Sequence, residues 1–153
     1  MPIKSFRGML ADGDSAKVNL HTTDGSTGYR IVKFETITND PGAAAAESLI
    51  KIYSTRNDDV ITPNSKIDFS DQTLLAVGYV AINSDNVGIM TKEIIFDNAV
   101  FNQDIYITCH DNKGSTACNY YFELEQIKLD AAENTVATIK DIRNIEGGLF
   151  PTV

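Results

Sequence analysis

The sequence predicts an all-β domain built as an antiparallel sandwich of two sheets, of which the jelly roll is one form. Three observations predict it. Val, Ile, Thr, Tyr and Phe are frequent, and these residue types favour strands. Apolar and polar side chains alternate over many short stretches, as they do along half-buried strands. Clusters of Gly, Pro, Asn and Asp separate these stretches, which gives roughly eight to ten short strands and no persuasive helix.

The length of 153 residues suits one domain, with segments 1–10 and 135–153 predicted as extended ends. We expect a chain of this size to fold without a metal ion or a disulfide. The formal net charge is −8 and no cluster of Lys or Arg exceeds two residues, which argues against binding to nucleic acid. We expect neither a leader peptide nor a membrane span, and therefore folding in a cytoplasm.

The first predicted elements are an extended segment at Pro2–Met9 and a strand at Ser15–His21. A turn at Ala11–Asp14 separates them, because Asp and Gly are typical turn residues. The strand alternates with period two. Its inward positions are Ala16, Val18 and Leu20.

The next strand, Tyr29–Ile37, is predicted to direct Val32 and Phe34 into the core. A Pro-Gly turn follows it, and the same turn favours a loop over a short helix for the alanines at Ala43–Ala46. A further strand is predicted at Leu49–Ser54.

Three more strands follow in the middle of the chain. They are predicted at Lys66–Ser70, Thr73–Ile82 and Thr91–Phe96. The second is the most apolar run in the chain, and its length and β-branched residues indicate a buried central strand. Gly78 within it indicates a bulge or a close backbone approach. The third strand is predicted to point Ile94 and Phe96 inward.

The last predicted element is a long β-hairpin from Asp104 to Asp130, with a polar loop from His110 to Ala117. The register that matches its two alternating arms pairs Cys109 with Cys118, Ile107 with Tyr120 and Ile105 with Phe122. A change of phase in the return arm predicts a β-bulge near Glu125 and Gln126. Beyond the hairpin, Thr135–Ile145 is predicted to be extended.

This register would allow a disulfide between Cys109 and Cys118. We favour two free thiols that pack as small apolar side chains. Cross-strand disulfides in hairpins are often strained, and cytoplasmic thiols stay reduced.

Residues that could carry catalysis form no recognisable motif. His21 and His110 have no second metal ligand at a useful spacing, and both are interpreted as surface histidines. The pair Glu123 and Glu125 is interpreted as solvent-facing charge on a strand. Glycine-rich phosphate loops and nucleophile motifs are absent from the sequence. We therefore predict no catalytic residue, no cofactor and no metal site.

Several loops contain Asp and Asn residues that could offer oxygen ligands to Ca²⁺. They are Asp12–Asp14, Asn57–Asp59, Asp68 with Asp71, and Asn83–Asn86. None follows a known calcium-loop pattern, and these residue types also stabilise turns by hydrogen bonding to the nearby backbone. We favour the turn interpretation.

The chain has six tyrosines, and an exposed tyrosine suits a contact surface. Tyr106 and Tyr121 fall on the polar side of the predicted hairpin and are candidates for an interface. The alternative is that this side of the sheet belongs partly to the core. A sugar-stacking platform of the six tyrosines is a further possibility, although the chain has no Trp.

Three stretches of the sequence carry a resemblance to a known family: Ser5–Gly13 (SFRGMLADG), Gly28–Phe34 (GYRIVKF) and Cys118–Glu125 (CNYYFELE). Together they resemble small virion structural proteins of marine tailed bacteriophages. The resemblance implies a non-enzymatic β-sandwich located in the virion, such as a head decoration or auxiliary capsid protein. Its implied partners are the major capsid protein, further copies of the chain, or both, in a homo-oligomer that could be a trimer.

The resemblance also suggests that residues 1–10 and 135–153 act as arms that become ordered against neighbouring subunits. Two alternatives remain open. One is a tail or neck component of the same particle, and the other is a receptor-binding or carbohydrate-binding module on the same fold.

Overall fold

The computed structural model describes residues 2–23, 25–41, 45–54, 63–82, 89–96 and 99–133. These residues form eight β-strands and a single-turn helix at 131–133. The strands are β1 (Ile3–Leu10), β2 (Ser15–Val18), β3 (Thr27–Thr38), β4 (Ala46–Ser54), β5 (Leu74–Ile82), β6 (Ile89–Ile95), β7 (Ile105–Asp111) and β8 (Cys118–Lys128). The part of the chain described here has no helix long and apolar enough to cross a membrane.

Two antiparallel sheets pack against each other, which confirms the predicted all-β sandwich. The first sheet has the strand order β1-β8-β3, and the second has the order β2-β7-β4-β5-β6. In a jelly roll, β6 would lie beside β3 in the first sheet. Here β6 pairs with β5 instead, so the jelly roll is not confirmed.

The predicted N-terminal extended segment is strand β1. It pairs with β8 along its whole length, from Ile3 opposite Glu125 to Leu10 opposite Cys118. Residues 3–10, which we expected as an arm for a neighbouring subunit, are thus part of their own sandwich. The predicted C-terminal segment 135–153 lies outside the described residues.

Strands β7 and β8 do not form the predicted hairpin. The first lies between β2 and β4, whereas the second lies between β1 and β3. The predicted cross-strand pairs are therefore wrong: Cys109 with Cys118, Ile107 with Tyr120, and Ile105 with Phe122.

Asp111 explains why the chain leaves one sheet for the other. Its carboxylate accepts hydrogen bonds from the backbone N–H groups of Lys113 at 2.9 Å, Gly114 at 3.3 Å and Thr116 at 2.7 Å. These N–H groups are satisfied within the loop rather than by a returning strand. The loop therefore directs β8 into the opposite sheet.

The predicted inward faces of both arms are nevertheless correct. Six residues of β7 and β8 that were predicted to face inward belong to the main core cluster, and Tyr120 packs against it. The six are Ile105, Ile107, Cys109, Cys118, Phe122 and Leu124. They come from opposite sheets and meet in the interior of the sandwich. The period of two therefore predicted which side chains are buried, although it did not predict the partner strand.

Gly78 allows the two sheets to approach each other closely. A Cβ atom at this position would lie 2.6 Å from Cγ2 of Thr36 and 3.0 Å from Cε2 of Phe34. The close approach predicted at Gly78 is thus made by side chains of β3. Glu93 of β6 holds Thr36 in place. The N–H and the hydroxyl of Thr36 both donate hydrogen bonds to Oε1 of Glu93, each at 3.1 Å.

The outer face of the five-stranded sheet is contacted by the segment 63–72. Lys51 of β4 points to this face and is only 2% exposed. Its ammonium donates to the carbonyl of Lys66 at 2.6 Å and to Oδ1 of Asn64 at 3.2 Å. The prediction of a strand at Lys66–Ser70 is wrong, because residues 66–68 are irregular and residues 69 and 70 lie in a turn, where Ser70 N–H donates to Asp68.

Strand β2 ends at Val18, earlier than predicted. Oδ1 of Asp104 accepts hydrogen bonds from the backbone N–H groups of Leu20 at 2.8 Å and His21 at 3.0 Å. This carboxylate takes the place of a neighbouring strand, so the ladder stops before these residues.

The predicted inward direction of Val32 is wrong, because the phase of β3 differs from expectation. The register shift lies in β3 between Ile31 and Lys33, and not near Glu125 and Gln126 of β8. As a result, Val32 is exposed.

In β6, the inward residue is Ile95. It packs against the main core, whereas we expected Ile94 and Phe96 there. Phe96 packs against a second buried cluster, which comprises Tyr53, Leu74 and Tyr106.

Candidate functional site

The outward side of the three-stranded sheet is its solvent-facing surface in the described structure, and we call it the open face. Its side chains come from alternate positions of β1, β8 and β3. They are Ile3, Ser5, Arg7 and Met9; Asn119, Tyr121, Glu123 and Glu125; and Arg30, Lys33, Glu35 and Ile37. The period of two places the intervening residues, such as Phe6, Phe34 and Phe122, on the core side.

The register of the three strands arranges the open face in rows, each with β8 at its centre. Met9, Asn119 and Ile37 form the first row, and Arg7, Tyr121 and Glu35 form the second. The third row is Ser5, Glu123 and Lys33, and the fourth is Ile3, Glu125 and Arg30. Side chains in one row are direct neighbours.

One end of the open face is apolar and concave. Met9 is 57% exposed and Ile37 is 60% exposed, and they flank Asn119 in the first row. Together with the second row they line a depression of about 530 Å³. Large apolar side chains that share one exposed depression are typical of a contact site rather than of scattered surface residues.

Sequence reasoning missed Met9 and Ile37 as surface residues. The signal was present for Ile37, because it alternates with Phe34 and Thr36, which are buried. An apolar residue at an outward position of a strand indicates either a covered face or a contact surface.

The open face carries balanced charge. Its cations are Arg7, Arg30 and Lys33, and its anions are Glu35, Glu123 and Glu125. The chain as a whole has a formal charge of −8, so this face differs from the remainder of the protein.

Across the residues that the structure describes, only some of these charges are paired with one another. Arg30 and Glu125 form an ion pair of 2.6 Å at one end of the open face. Among the described residues, the structure records no ion pair for Arg7 or for Glu35, which lie on opposite sides of Tyr121.

Tyr121 lies at the centre of the open face, where we predicted a candidate interface residue. Its hydroxyl donates a hydrogen bond to Oε2 of Glu123, and Nζ of Lys33 lies 5.9 Å from its ring centroid. The hydrogen bond to Glu123 raises the pKa of Tyr121 above its usual value. These contacts orient an aromatic side chain that is still partly exposed, as at many protein interfaces.

Tyr106 does not lie on this surface, and its prediction as an interface residue is corrected. It is 3% exposed and packs with Tyr53 and Leu74 on the outer side of the five-stranded sheet. The alternative that we left open, a sheet side that belongs partly to the core, describes this residue. Sequence could not reveal this, because burial here depends on packing outside the predicted hairpin.

The six tyrosines do not form one platform. Tyr29, Tyr53 and Tyr106 are buried, and Tyr120 packs beside Phe122 on the core side of β8. A sugar-stacking surface that uses all six is therefore not present.

Cys109 and Cys118 are free thiols, each fully buried. They belong to different sheets and to the same core cluster. Burial raises the pKa of each thiol to about 12, so both are protonated at neutral pH. Buried, protonated thiols are poor nucleophiles and poor metal ligands.

The two histidines are held by hydrogen bonds to neighbouring polar side chains. Nδ1 of His21 lies 2.6 Å from Oδ1 of Asp104, whose other oxygen is 3.7 Å from Nζ of Lys17. Nε2 of His110 lies 3.1 Å from Oδ1 of Asn112.

Acidic loop residues within the described part of the chain accept backbone hydrogen bonds. Asp71 accepts one from Thr73 N–H at 2.9 Å within its own turn, whereas Asp12 accepts one at 2.7 Å from the N–H of Asp111, which is distant in the chain. In the described part of the chain, no group of three or more His, Cys, Asp or Glu side chains could hold a metal ion. The loops at Asn57–Asp59 and Asn83–Asn86 lie outside the described residues.

Comparison with protein-family models, with curated proteins and with solved structures finds no match to this chain.

Proposed function

We propose that this protein is a non-enzymatic structural component of a bacteriophage particle, a decoration or cement protein that binds the head shell. It would assemble with the major capsid protein and with further copies of itself, and the open face would be one of its assembly contacts. The proposal includes location in the virion after synthesis in the host cytoplasm.

One observation carries this proposal. The three stretches that resemble virion structural proteins correspond to β1 with its following turn, to the first part of β3, and to most of β8. They are far apart in the chain, yet they form one sheet. The three quoted stretches thus lie together in the sheet that presents the open face, although the resemblance itself extends over most of the chain.

The fold supports the proposal at a coarser level. The arrangement of β1-β8-β3 opposite β2-β7-β4-β5 matches seven strands of a jelly roll. Jelly rolls occur in viral capsid proteins and also in lectins, so the fold alone does not select between them. The carbohydrate-binding alternative is less well supported, because three of the six tyrosines are buried.

Co-sedimentation with empty heads of the encoding virus tests the proposal. We expect saturable binding of the purified chain. Ile37→Lys places a charge in the apolar depression and should reduce occupancy, whereas Ile67→Lys is the matched control, because Ile67 is also exposed but lies on the segment 63–72. If the chain does not bind heads but binds a sugar in a glycan screen, the proposal is overturned and a sugar-binding module is favoured.

A further inference from the structure

We infer that the open face binds the open face of a second copy of this chain, around a two-fold axis that runs along β8. The inference rests on the proposed function only in treating the open face as an assembly contact. It adds the identity of the occupant and the pairing of residues across the contact.

The charge distribution points to a second copy. Two chains of formal charge −8 repel each other over most of their surfaces. The open face carries three cations and three anions, so its own charges add no net repulsion. A neutral patch with both signs on a strongly acidic protein suits an identical patch, because each sign can find its opposite.

The order of residues across the sheet determines the symmetry. In the second row Arg7 lies on β1 and Glu35 on β3, with Tyr121 between them. Strands are about 4.8 Å apart, so the two Cα atoms are separated by roughly 10 Å. This separation explains why the two side chains, although opposite in charge, do not pair within one sheet.

A two-fold axis along β8 exchanges β1 and β3. It therefore brings Arg7 of one copy to Glu35 of the other, and the same pair forms a second time by symmetry. In the first row it brings Met9 to Ile37, again twice. The same two-fold rotation thus gives a partner in the second copy to both apolar side chains and both charges of the first two rows.

An axis in the perpendicular direction satisfies fewer groups when it passes through the second row. An axis across the strands through the second row would place Arg7 opposite Arg7 of the second copy, which is repulsive. The axis along β8 does bring Glu123 and Glu125 near their own copies. Glu123 already accepts the Tyr121 hydroxyl, and Glu125 is paired with Arg30. Twisted sheets also diverge away from their closest point, which we place at the first two rows.

The area of the contact predicts a weak dimer. Three strands and all four rows cover roughly 14 Å by 27 Å, so the contact is at most on the order of 400 Å² per copy. This is about half of the ~800 Å² that each partner contributes to a standard interface. We therefore expect association in the micromolar range or weaker, which repeated copies on a particle would strengthen through avidity.

Sedimentation velocity of the full chain over a concentration series tests the inference. We expect a concentration-dependent dimer. Arg7→Glu and Glu35→Arg each create two like-charge contacts and should weaken association by about tenfold or more. The double variant Arg7→Glu with Glu35→Arg restores opposite charges across the axis and should recover the dimer.

Controls separate this effect from net charge and folding. Lys92→Glu and Asp40→Arg make the same charge changes on exposed residues outside the open face and should leave the dimer unchanged. All of these residues are exposed, and circular dichroism should show that each variant is folded. A wild-type monomer at every concentration, a trimer, or a double variant that stays as weak as the single variants would overturn the inference.

Head binding is scored separately from self-association. If the chain dimerises but does not bind empty heads, the inference stands and the proposed decoration role is contradicted. If the chain binds heads but stays monomeric in solution at every concentration, the decoration role stands and the inference is contradicted.

Discussion

The ammonium group of Lys51 donates a hydrogen bond of 2.6 Å to the backbone carbonyl of Lys66 and so attaches the segment 63–72 to the five-stranded sheet. Lys51 is almost completely buried, and this burial lowers its pKa, while the nearby Asp71 acts in the opposite direction. A buried ammonium needs such hydrogen bonds, because an unpaired one would be strongly destabilising. The contact is therefore a specific attachment point of a long, exposed segment.

Lys51→Met should release this segment while keeping an apolar side chain of similar length. Trypsin cleaves after lysine, and the carbonyl of the peptide bond it would cut is the group that Lys51 binds. We expect cleavage after Lys66 to accelerate by about tenfold or more, because the variant loses the hydrogen bonds of a charged group to both Lys66 and Asn64. Mass spectrometry of the fragments measures this rate. Lys92→Met, at an exposed position, is the control, and equal cleavage rates in both variants would contradict the prediction.

Asp111→Asn should destabilise the connection between the two sheets. The carboxylate accepts four backbone N–H groups, and an amide can replace only part of these hydrogen bonds. We expect the free energy of unfolding at pH 7 to fall by about 2 kcal/mol. Urea unfolding measures this value, and Asp40→Asn at an exposed turn should have little effect.

The stability that Asp111 contributes should depend on pH. Burial by itself would raise the pKa of Asp111. The hydrogen bonds from the backbone N–H groups of Lys113, Glu47, Thr116 and Gly114 together have a larger, opposite effect, so the pKa in the folded state lies below the usual 3.8. Its contribution is complete above the unfolded-state pKa and is lost as the pH falls through the folded-state pKa. The difference between wild type and Asp111→Asn should therefore shrink between about pH 5 and pH 2. A difference that is constant over this range would show that the charge is not responsible.

Gly78→Ala should destabilise the sandwich, because its Cβ would lie 2.6 Å from Cγ2 of Thr36. Overpacking of this kind costs about 1–3 kcal/mol. Thr36→Ser removes the Cγ2 atom and keeps the hydroxyl that donates to Glu93. The double variant Gly78→Ala with Thr36→Ser should therefore lose less free energy of unfolding than the two single variants lose in total. Thermal or urea unfolding of the four proteins measures this difference. Strict additivity would argue against this contact as the cause.

Cys109 and Cys118 should resist thiol reagents in the folded protein. Both are fully buried and have a pKa of about 12, so almost no thiolate is present at pH 8. We expect no reaction with a disulfide reagent at pH 8 and two thiols per chain after unfolding without a reductant. No thiol after unfolding would instead indicate that the two cysteines form a disulfide.

Alternation along the chain predicted the fold class and most of the buried positions. Ala16, Val18 and Leu20 pack in or against the main core as predicted, as do the inward residues of β7 and β8. The physical reason is local: successive side chains of a strand point to opposite sides, so the apolar set must face the interior. The polar phase of β8 likewise predicted that Tyr121 and Glu123 face outward.

Tertiary structure decided which strands are neighbours. Cys109 and Cys118 have the same inward phase in a hairpin and in two facing sheets, so alternation cannot distinguish these arrangements. The backbone hydrogen bonds of Asp111 select the second one. Tyr106 is buried because it packs in a second cluster, and Val32 is exposed because the register shifts between β3 and β8. Both depend on contacts between strands. The sequence by itself determined which side chains leave water, and long-range packing determined the neighbours they meet and the sheet face that stays open.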